Sequence, residues 1–462
     1  MFTSRRNSYS KNRRWRSSSQ TSRQKPLIIL LSIPLILILL ELLVRLLVGV
    51  AGKNAELAAY EGESAIITAY NLKFLSPSQQ PYQGLPDQGS LAAQRSLAGG
   101  YSLMGKQESN FWSINEQGFR DDQPVPLAKP ENEIRIFLLG GSTAFGQWNA
   151  SNQATFASKL EKRLNERVAQ QKRSPEKYRP LTSPYFKSEL DKALTLPPRI
   201  QEGQYRVINA AVPGYASGNE IAQLALQVLP YSPDMILVLD GYTDLMLPSQ
   251  NVATDIPKSE AFLNNAPGHF WTYLKQQLDE AIADTYLVKA TQYWILRPQP
   301  SVSRLSLVAT EETIPLAKRL AADEEELNRR AARYRQHIKQ IIRLTTGANI
   351  PLIVAVQPEI TGRGTSQIDP REQEMLSELG SDYRERVQRG YAALETSRQQ
   401  LQKTYPNNVK TLNFYDLYED FPERAFYDAV HLTEAGHSVL AERFYQAIAA
   451  VPKLQVSFPK PE

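Results

Sequence analysis

Short apolar runs alternate with amphipathic stretches along most of the chain. The runs cover residues 134–139, 205–209, 235–239, 352–356 and 410–414, and turn-forming residues flank them. Runs of this length, rich in leucine and β-branched residues, predict buried strands. The stretches between them repeat apolar residues at helical spacing, which predicts helices with one buried face. Strands that alternate with helices indicate an α/β fold with a five-stranded parallel sheet.

A longer apolar stretch, residues 27–51, precedes these runs and carries only two charged residues, Glu41 and Arg45. About 20 apolar residues suffice for a helix to cross a bilayer. Residues 1–26 contain eight basic and no acidic residues, which places this end in the cytoplasm. We therefore predict a disordered basic cytoplasmic tail over 1–26 and a single transmembrane anchor over 27–51. A cleaved signal peptide is the alternative, because residues 49–51 form a small-x-small site, but its apolar region would be unusually long.

The remaining chain divides into three parts. Residues 52–110 mix polar residues with aromatics and are predicted to form a stalk that becomes the edge of a folded domain over 111–452. Within that domain, about 250–322 is longer than one crossover helix requires and is predicted to be a helical insertion. Its aromatic residues fit a lid, a membrane-facing cap or an ordinary core, and all three remain open: Phe270, Trp271, Tyr273, Tyr286, Tyr293 and Trp294.

Composition excludes several kinds of site. The chain has no cysteine and four histidines, which excludes thiolate catalysis and disulfides and argues against a multi-histidine metal site. The net charge of +5 comes from the N-terminal tail, since residues 52–462 hold 44 basic and 47 acidic side chains. A mildly acidic domain gives no reason to expect a nucleic-acid partner. We predict no metal and no organic cofactor.

Candidate chemistry lies where the predicted strands end, because ligands of open parallel sheets bind at their carboxyl ends. Loops 140–146, 210–218 and 240–244 follow the first three strands, and each alone fits an ordinary turn. Asp428 and His431 follow the fifth strand. A serine hydroxyl needs an adjacent base, and the base needs a partner that fixes its tautomer. Ser142, His431 and Asp428 can fill these three roles.

These blocks, in this order, resemble the SGNH, or GDSL, hydrolase superfamily, and residues 115–120 resemble the Asn-x-x-Gly-Phe-Arg lead-in of many members. The resemblance implies that Ser142 is the nucleophile and one oxyanion donor, with the backbone N–H of Gly214 as a second donor. Gly141 stands where many members have Asp. Thr243 stands where the family usually has an Asn donor, and its hydroxyl reaches less far than an amide. Tyr242 or a water could supply the missing donor.

The expected protein is a flavodoxin-like three-layer α/β/α sandwich behind one N-terminal transmembrane helix. The resemblance implies an extracytoplasmic serine esterase that hydrolyses acyl esters of cell-envelope glycans or lipids through an acyl-serine intermediate. Its expected partners are that acyl-ester substrate and the membrane. Two alternatives remain: an O-acyltransferase with the same triad, and a non-catalytic, polysaccharide-binding degenerate hydrolase. His269, His337 and His437 are predicted to be structural.

Overall fold

The structure is a computed structural model. It describes residues 24–58, 60, 64–76, 78–81, 89–96, 98–251, 278, 281–296, 300–306, 314–364 and 368–456. Residues 1–23 of the predicted tail over 1–26 lie outside these residues, as do Phe270, Trp271, Tyr273 and His269 of the insertion.

The bounds of the helices and strands are as follows. The helices are α1 (Gln24–Val50), α2 (Asn54–Ala58), α3 (Ala65–Tyr70), α4 (Ser142–Phe145), α5 (Phe156–Arg173), α6 (Lys187–Thr195), α7 (Ser217–Gln223), α8 (Tyr242–Met246), α9 (Tyr286–Ala290), α10 (Val302–Leu305), α11 (Leu316–Arg319), α12 (Glu324–Gly347), α13 (Pro370–Thr404) and α14 (Glu434–Ala449). The strands are β1 (Leu72–Phe74), β2 (Leu91–Ser96), β3 (Gly100–Leu103), β4 (Gln107–Glu108), β5 (Ser113–Ile114), β6 (Glu133–Gly140), β7 (Gln204–Asn209), β8 (Met235–Asp240), β9 (Leu352–Val356) and β10 (Lys410–Asn413). Short π-helical turns cover Leu224–Val228 and Thr291–Leu296.

The chain divides into two compact units. The first contains Met1–Gly62 and Leu278–Pro298, and the second contains Glu63–Gln277 and Gln299–Glu462. In the first unit, α1 includes a segment, Ser32–Val50, that is long and apolar enough to cross a membrane. The second unit holds the predicted α/β domain.

The central sheet is parallel, with the strand order β10-β9-β8-β6-β7. In chain order, these strands are the fifth, fourth, third, first and second, which is the flavodoxin-like arrangement. The five apolar runs predict the strands to within one residue at each end, and the prediction of a five-stranded parallel sheet is confirmed. The central strands β8 and β9 are buried on both faces, which explains their nearly continuous apolar sequences.

Helices cover the sheet on both sides. Helix α5 packs against α14 and β7, while α12 packs against α13 and α7. The three central strands are almost entirely buried, with β8 and β9 buried at every position, while the edge strands β7 and β10 are partly exposed. The reversal of strand order around β6 opens a crevice beyond its carboxyl end, so the chain segments after β6, β7 and β8 meet there.

The second unit also contains residues 64–114, most of the predicted stalk and domain edge. Strands β1, β2 and β3 form a small sheet whose apolar side chains join the main hydrophobic core. The Tyr101 hydroxyl donates to the Pro213 carbonyl at 2.6 Å, and the Tyr70 hydroxyl donates to the Asn149 carbonyl at 2.5 Å. Helix α3, through Tyr70, therefore supports the loop after β6, and the small sheet, through Tyr101, supports the loop after β7.

Candidate active site

Three residues on neighbouring loops share a pattern of exposure. Ser142, Gly214 and Thr243 are each partly exposed, while the residues on both sides of each are buried. They follow β6, β7 and β8 respectively, whose carboxyl ends lie side by side in the sheet. The structure therefore presents one accessible point on each of three converging loops, at the residues that the sequence predicted as nucleophile and oxyanion donors.

The loops approach closely at Gly141. A Cβ atom at this position would lie 3.0 Å from the Tyr215 carbonyl oxygen and 3.5 Å from the Thr243 hydroxyl oxygen. The first distance is tighter than ordinary van der Waals contact, so glycine lets the three loops meet. Gly214, beside Tyr215, has φ of 85°, a left-handed conformation that favours glycine.

Asp428 and His431 form a fully buried pair. The Nδ1 atom of His431 lies 2.6 Å from Oδ2 of Asp428, and both side chains have no exposed surface. Oδ1 of Asp428 accepts the backbone N–H groups of Val430 and His431, each at 3.0 Å. Burial alone would raise the pKa of the Asp428 carboxyl, but the imidazole and these two donors outweigh burial and hold that pKa below its usual value. Asp428 is therefore a carboxylate positioned to orient the imidazole.

The second ring nitrogen of His431 is free to act as a base. Among the residues that the structure describes, Nε2 of His431 has no hydrogen-bond partner. The hydroxyl of Thr143, next to Ser142, donates to the Val430 carbonyl at 3.1 Å, which ties the Ser142 turn to the His431 loop. No Ser142–His431 hydrogen bond occurs between these two described side chains, and catalytic hydrogen bonds often tighten only when substrate is bound.

Trp148 contacts both members of the pair. Its indole Nε1–H lies 2.8 Å from Oδ2 of Asp428 and 3.1 Å from Nδ1 of His431, and its ring meets the imidazole edge to face. Trp148 has φ of 67°, and it follows the turn that carries Ser142. The indole therefore supplies the carboxylate with a fourth donor and limits rotation of the imidazole.

Trp148→Phe is expected to lower kcat by about 10-fold with little change in KM, because loss of a supporting partner loosens the imidazole but leaves the substrate surface intact. Phenylalanine keeps an aromatic ring and removes the N–H. Steady-state hydrolysis of a short acyl ester measures the effect, and Trp294→Phe, at a partly exposed tryptophan in the first unit, is the control. An unchanged kcat would mean that the carboxylate is held without the indole.

Arg120, the last residue of the lead-in motif, is buried beneath the Ser142 turn. Its guanidinium donates to the carbonyls of Phe145 and Gly146, at 3.0 and 2.8 Å. It also donates to the Tyr70 hydroxyl at 2.7 Å and to Oδ1 of Asn152 at 2.8 Å. Arg120 thus joins helix α4, which begins at Ser142, to the small sheet region and to the loop after Trp148.

A second polar network joins the loops that carry Gly214 and Thr243. The carboxylate of Asp244 accepts the backbone N–H and the hydroxyl of Ser217, at 3.0 and 2.5 Å. The Ser217 hydroxyl also lies 2.9 Å from Nδ1 of His337. His337 was predicted to be structural without a carboxylate partner, but the structure connects it to Asp244 through Ser217. Burial raises the pKa of Asp244, although the Ser217 donors oppose that rise.

Two further side chains have roles away from the crevice. The Tyr242 hydroxyl lies 3.1 Å from the Tyr383 hydroxyl in a buried contact, so it bonds to a core residue and not at the proposed oxyanion site. His437 is buried and stacks on Phe156. Burial, with the nearby charges of Arg120 and Lys159, lowers the pKa of His437 to about 3, which keeps it neutral.

Sequence reasoning found the loops but missed several residues that support them. Trp148 and Arg120 contact site residues that are far away in sequence, and local spacing carries no signal of such contacts. Ser306, at the end of the insertion, accepts the backbone N–H of Ala429 at 3.0 Å and so helps to hold the loop between Asp428 and His431. Within the described residues, no group of three or more acidic or histidine side chains is placed to hold a metal ion.

Comparisons with known proteins address the class of the protein. The sequence model of the GDSL-like lipase/acylhydrolase family matches residues 309–444, a range that includes Asp428 and His431. No curated protein matches the chain. Among solved structures, the lipase/acylhydrolase from Enterococcus faecalis is 13% identical, with a TM-score of 0.34, over 71% of this chain and 100% of that chain. An acetylxylan esterase from Geobacillus stearothermophilus is 12% identical, with a TM-score of 0.31, over 70% of this chain and 96% of that chain.

Structural similarity at these scores is too low to support an argument, so the conclusion depends on the family match and on the fold. A flavodoxin-like sheet with a GDSL-type acylhydrolase segment defines the class of serine ester hydrolases. Residues 309–444 match the GDSL-like lipase/acylhydrolase family, and this match confirms the resemblance to the SGNH/GDSL hydrolase superfamily seen in the motifs.

Proposed function

We propose that this protein is a membrane-anchored, extracytoplasmic esterase that hydrolyses acyl esters of cell-envelope glycans or lipids. One observation carries the proposal of catalysis. The buried Asp428–His431 pair, at 2.6 Å, leaves Nε2 of the imidazole unpartnered among the described residues, beside the loop that presents Ser142. A binding protein has no need for an oriented base at such a position.

The reaction follows from these roles. His431 Nε2 takes the proton of the Ser142 hydroxyl as its oxygen attacks the ester carbonyl. The backbone N–H groups of Ser142 and Gly214 and the Thr243 hydroxyl stabilise the tetrahedral oxyanion. Return of the proton to the leaving alcohol gives an acyl-serine, which water activated by His431 then hydrolyses. Asp428 fixes the tautomer of His431 throughout.

The membrane location draws support from α1. Its apolar length fits a bilayer, and the basic residues before it favour a cytoplasmic N-terminus. Within the first unit, the carboxylate of Glu41 accepts the backbone N–H groups of Tyr286 and Leu287, at 3.0 and 2.8 Å. Cleavage after Ala51 would remove Glu41 from this contact, so a retained anchor accounts for the contact better than a signal peptide does. A hydrolase held on the outer face meets envelope glycans and lipids first.

Labelling with a fluorophosphonate tests the catalytic proposal. The full chain in detergent is expected to be labelled, and Ser142→Ala is expected to abolish both labelling and hydrolysis of short acyl esters. Ser188→Ala, on the exposed face of α6, is the matched control and should behave as wild type. If labelling does not depend on Ser142 and no ester is hydrolysed, the esterase proposal fails and the non-catalytic binding protein takes its place.

The side chain at position 243 is expected to limit kcat, because it supplies one of the oxyanion donors. Thr243→Asn should raise kcat by up to about 10²-fold, because an amide reaches further than a hydroxyl and restores a full oxyanion donor. Thr243→Val keeps the shape, removes the hydroxyl and should lower kcat. Both are measured with a short acyl ester under saturating conditions. If neither variant changes kcat, residue 243 does not stabilise the oxyanion.

A further inference from the structure

Within the first unit, residues 281–296 of the insertion pack along the apolar helix α1. The deepest contact is at Glu41, whose two carboxylate oxygens accept the N–H groups of Tyr286 and Leu287. Arg45 bonds to the same carboxylate at 2.7 Å and lies over the Tyr286 ring at 4.6 Å. The only two charged side chains of the predicted membrane span are therefore both engaged by the insertion.

The contacts then continue toward the C-terminal end of α1 and beyond it. Val48, Leu57 and Ala290 form a small buried cluster, against which Tyr286 packs. Farther along, the Tyr293 hydroxyl donates to Glu56 at 2.5 Å. Segment 281–296 thus follows α1 from the level of Glu41 to the level of α2.

The position of Glu41 along α1 places its contact with Tyr286 and Leu287 inside the hydrocarbon layer of the membrane. A helix rises about 1.5 Å per residue, and about 20 residues cross the hydrocarbon layer. A span that starts at Leu27 leaves the hydrocarbon near Leu46, so Glu41 lies about 7 Å inside. A carboxylate at that depth needs partners. The backbone N–H groups of Tyr286 and Leu287 supply them, which brings α9 to the same depth.

The outward side chains of segment 281–296 suit that depth. Ile282, Trp294, Ile295 and Leu296 are all apolar or aromatic and are 50%, 38%, 76% and 65% exposed. The outer face also carries Asp284, whose side chain is 79% exposed and pairs with the largely covered Lys289 at 3.0 Å. Tryptophan and tyrosine favour the membrane interface, and an apolar outer face beside a transmembrane helix is the arrangement of an interfacial segment.

We propose that segment 281–296 is a second membrane-contacting element, which enters the same leaflet as α1 at Tyr286 and rises to the membrane interface at Ile295 and Leu296, where these apolar side chains contact lipid. The proposal rests on the proposed membrane anchor. The occupant of the apolar face is the lipid bilayer, because this face continues the lipid-facing surface of α1. The insertion thereby gives the anchor a second point of attachment and supplies partners to the Glu41–Arg45 pair: two backbone donors for Glu41 and the Tyr286 ring for Arg45.

Cysteine labelling tests this directly, because the natural chain has no cysteine and a single introduced thiol is labelled alone. Ile295→Cys in the full chain would carry a polarity-sensitive fluorophore. The protein would be placed in phosphatidylcholine nanodiscs with and without doxyl-labelled phosphatidylcholine as a quencher. Leu127→Cys, at an exposed leucine of the second unit, is the matched aqueous control, and Leu43→Cys on α1 is the lipid reference.

The expected result is a clear loss of emission at residue 295, smaller than the loss at residue 43 because residue 295 lies at the membrane interface, with no loss at residue 127. Quenching at 43 without quenching at 295 overturns the second membrane element and leaves the anchor intact. Absence of quenching at 43 overturns the anchor and, with it, this proposal. A blue-shifted but unquenched label at 295 indicates that another protein covers the segment, which also overturns the proposal.

Discussion

Asp428→Asn is expected to lower kcat by about 10⁴-fold, because it reverses the hydrogen bonding that orients the base. The carboxylate uses one oxygen for the backbone N–H groups of Val430 and His431, and the other for the imidazole and the indole of Trp148. An asparagine that keeps the backbone contacts must turn its NH₂ group toward the imidazole. His431 then carries its proton on Nε2 and cannot accept one from Ser142.

The measurement is kcat for a short acyl ester, with thermal unfolding as the check that the variant is folded. Asp420→Asn makes the same chemical change at an exposed carboxylate with no role in the site, and should leave kcat unchanged. If Asp428→Asn lowers kcat by less than about 10-fold, the effect is no larger than the loss of a supporting contact. In that case the Asp428–His431 pair does not act as the catalytic base.

Arg120→Met is expected to destabilise the second unit by about 3–5 kcal/mol, because it strips the donors from several buried acceptors at once. Arg120 is 3% exposed and donates to the Phe145 and Gly146 carbonyls, the Tyr70 hydroxyl and Asn152. Burial lowers the pKa of its guanidinium, and the contact with Tyr70 opposes that shift. Methionine fills part of the same space without any donor.

Chemical denaturation of the full chain measures this loss. Arg173→Met, at an exposed arginine near the end of α5, should change the free energy of unfolding by less than about 0.5 kcal/mol. A loss below about 1 kcal/mol for Arg120→Met would mean that water replaces the guanidinium and that the turn at Ser142 is held by other contacts.

The sheet could be predicted because its signal is local. The central strands β8 and β9 are buried on both faces, so they appear as continuous apolar runs bounded by turns, and the predicted bounds match β6 to β10 to within one residue. The order of the blocks also placed Ser142, Gly214 and Thr243 on neighbouring loops, because the carboxyl ends of parallel strands share one edge.

The supporting contacts could not be predicted, because they join residues with no common local pattern. Trp148 bonds to Asp428 across 280 positions, and Ser217 reaches His337 across 120. The sequence predicts only a stalk and domain edge over residues 52–110, because strands as short as β1 carry little periodicity. In the structure, their tyrosines bond to the loops after β6 and β7, which only the folded chain shows.

Gly141 and Thr243 can be regarded as a linked pair of departures from the family pattern. An aspartate side chain at 141 would begin with a Cβ atom 3.0 Å from the Tyr215 carbonyl, whereas the absence of that atom leaves space on the side that faces Thr243. Restoring the family residue is therefore expected to have different consequences at position 141 and at position 243. Position 243 has room to grow toward Gly141, but growth at 141 presses on the loop that carries Gly214. An attempt to raise the kcat of this enzyme by consensus design should therefore change Thr243 and leave Gly141 unchanged.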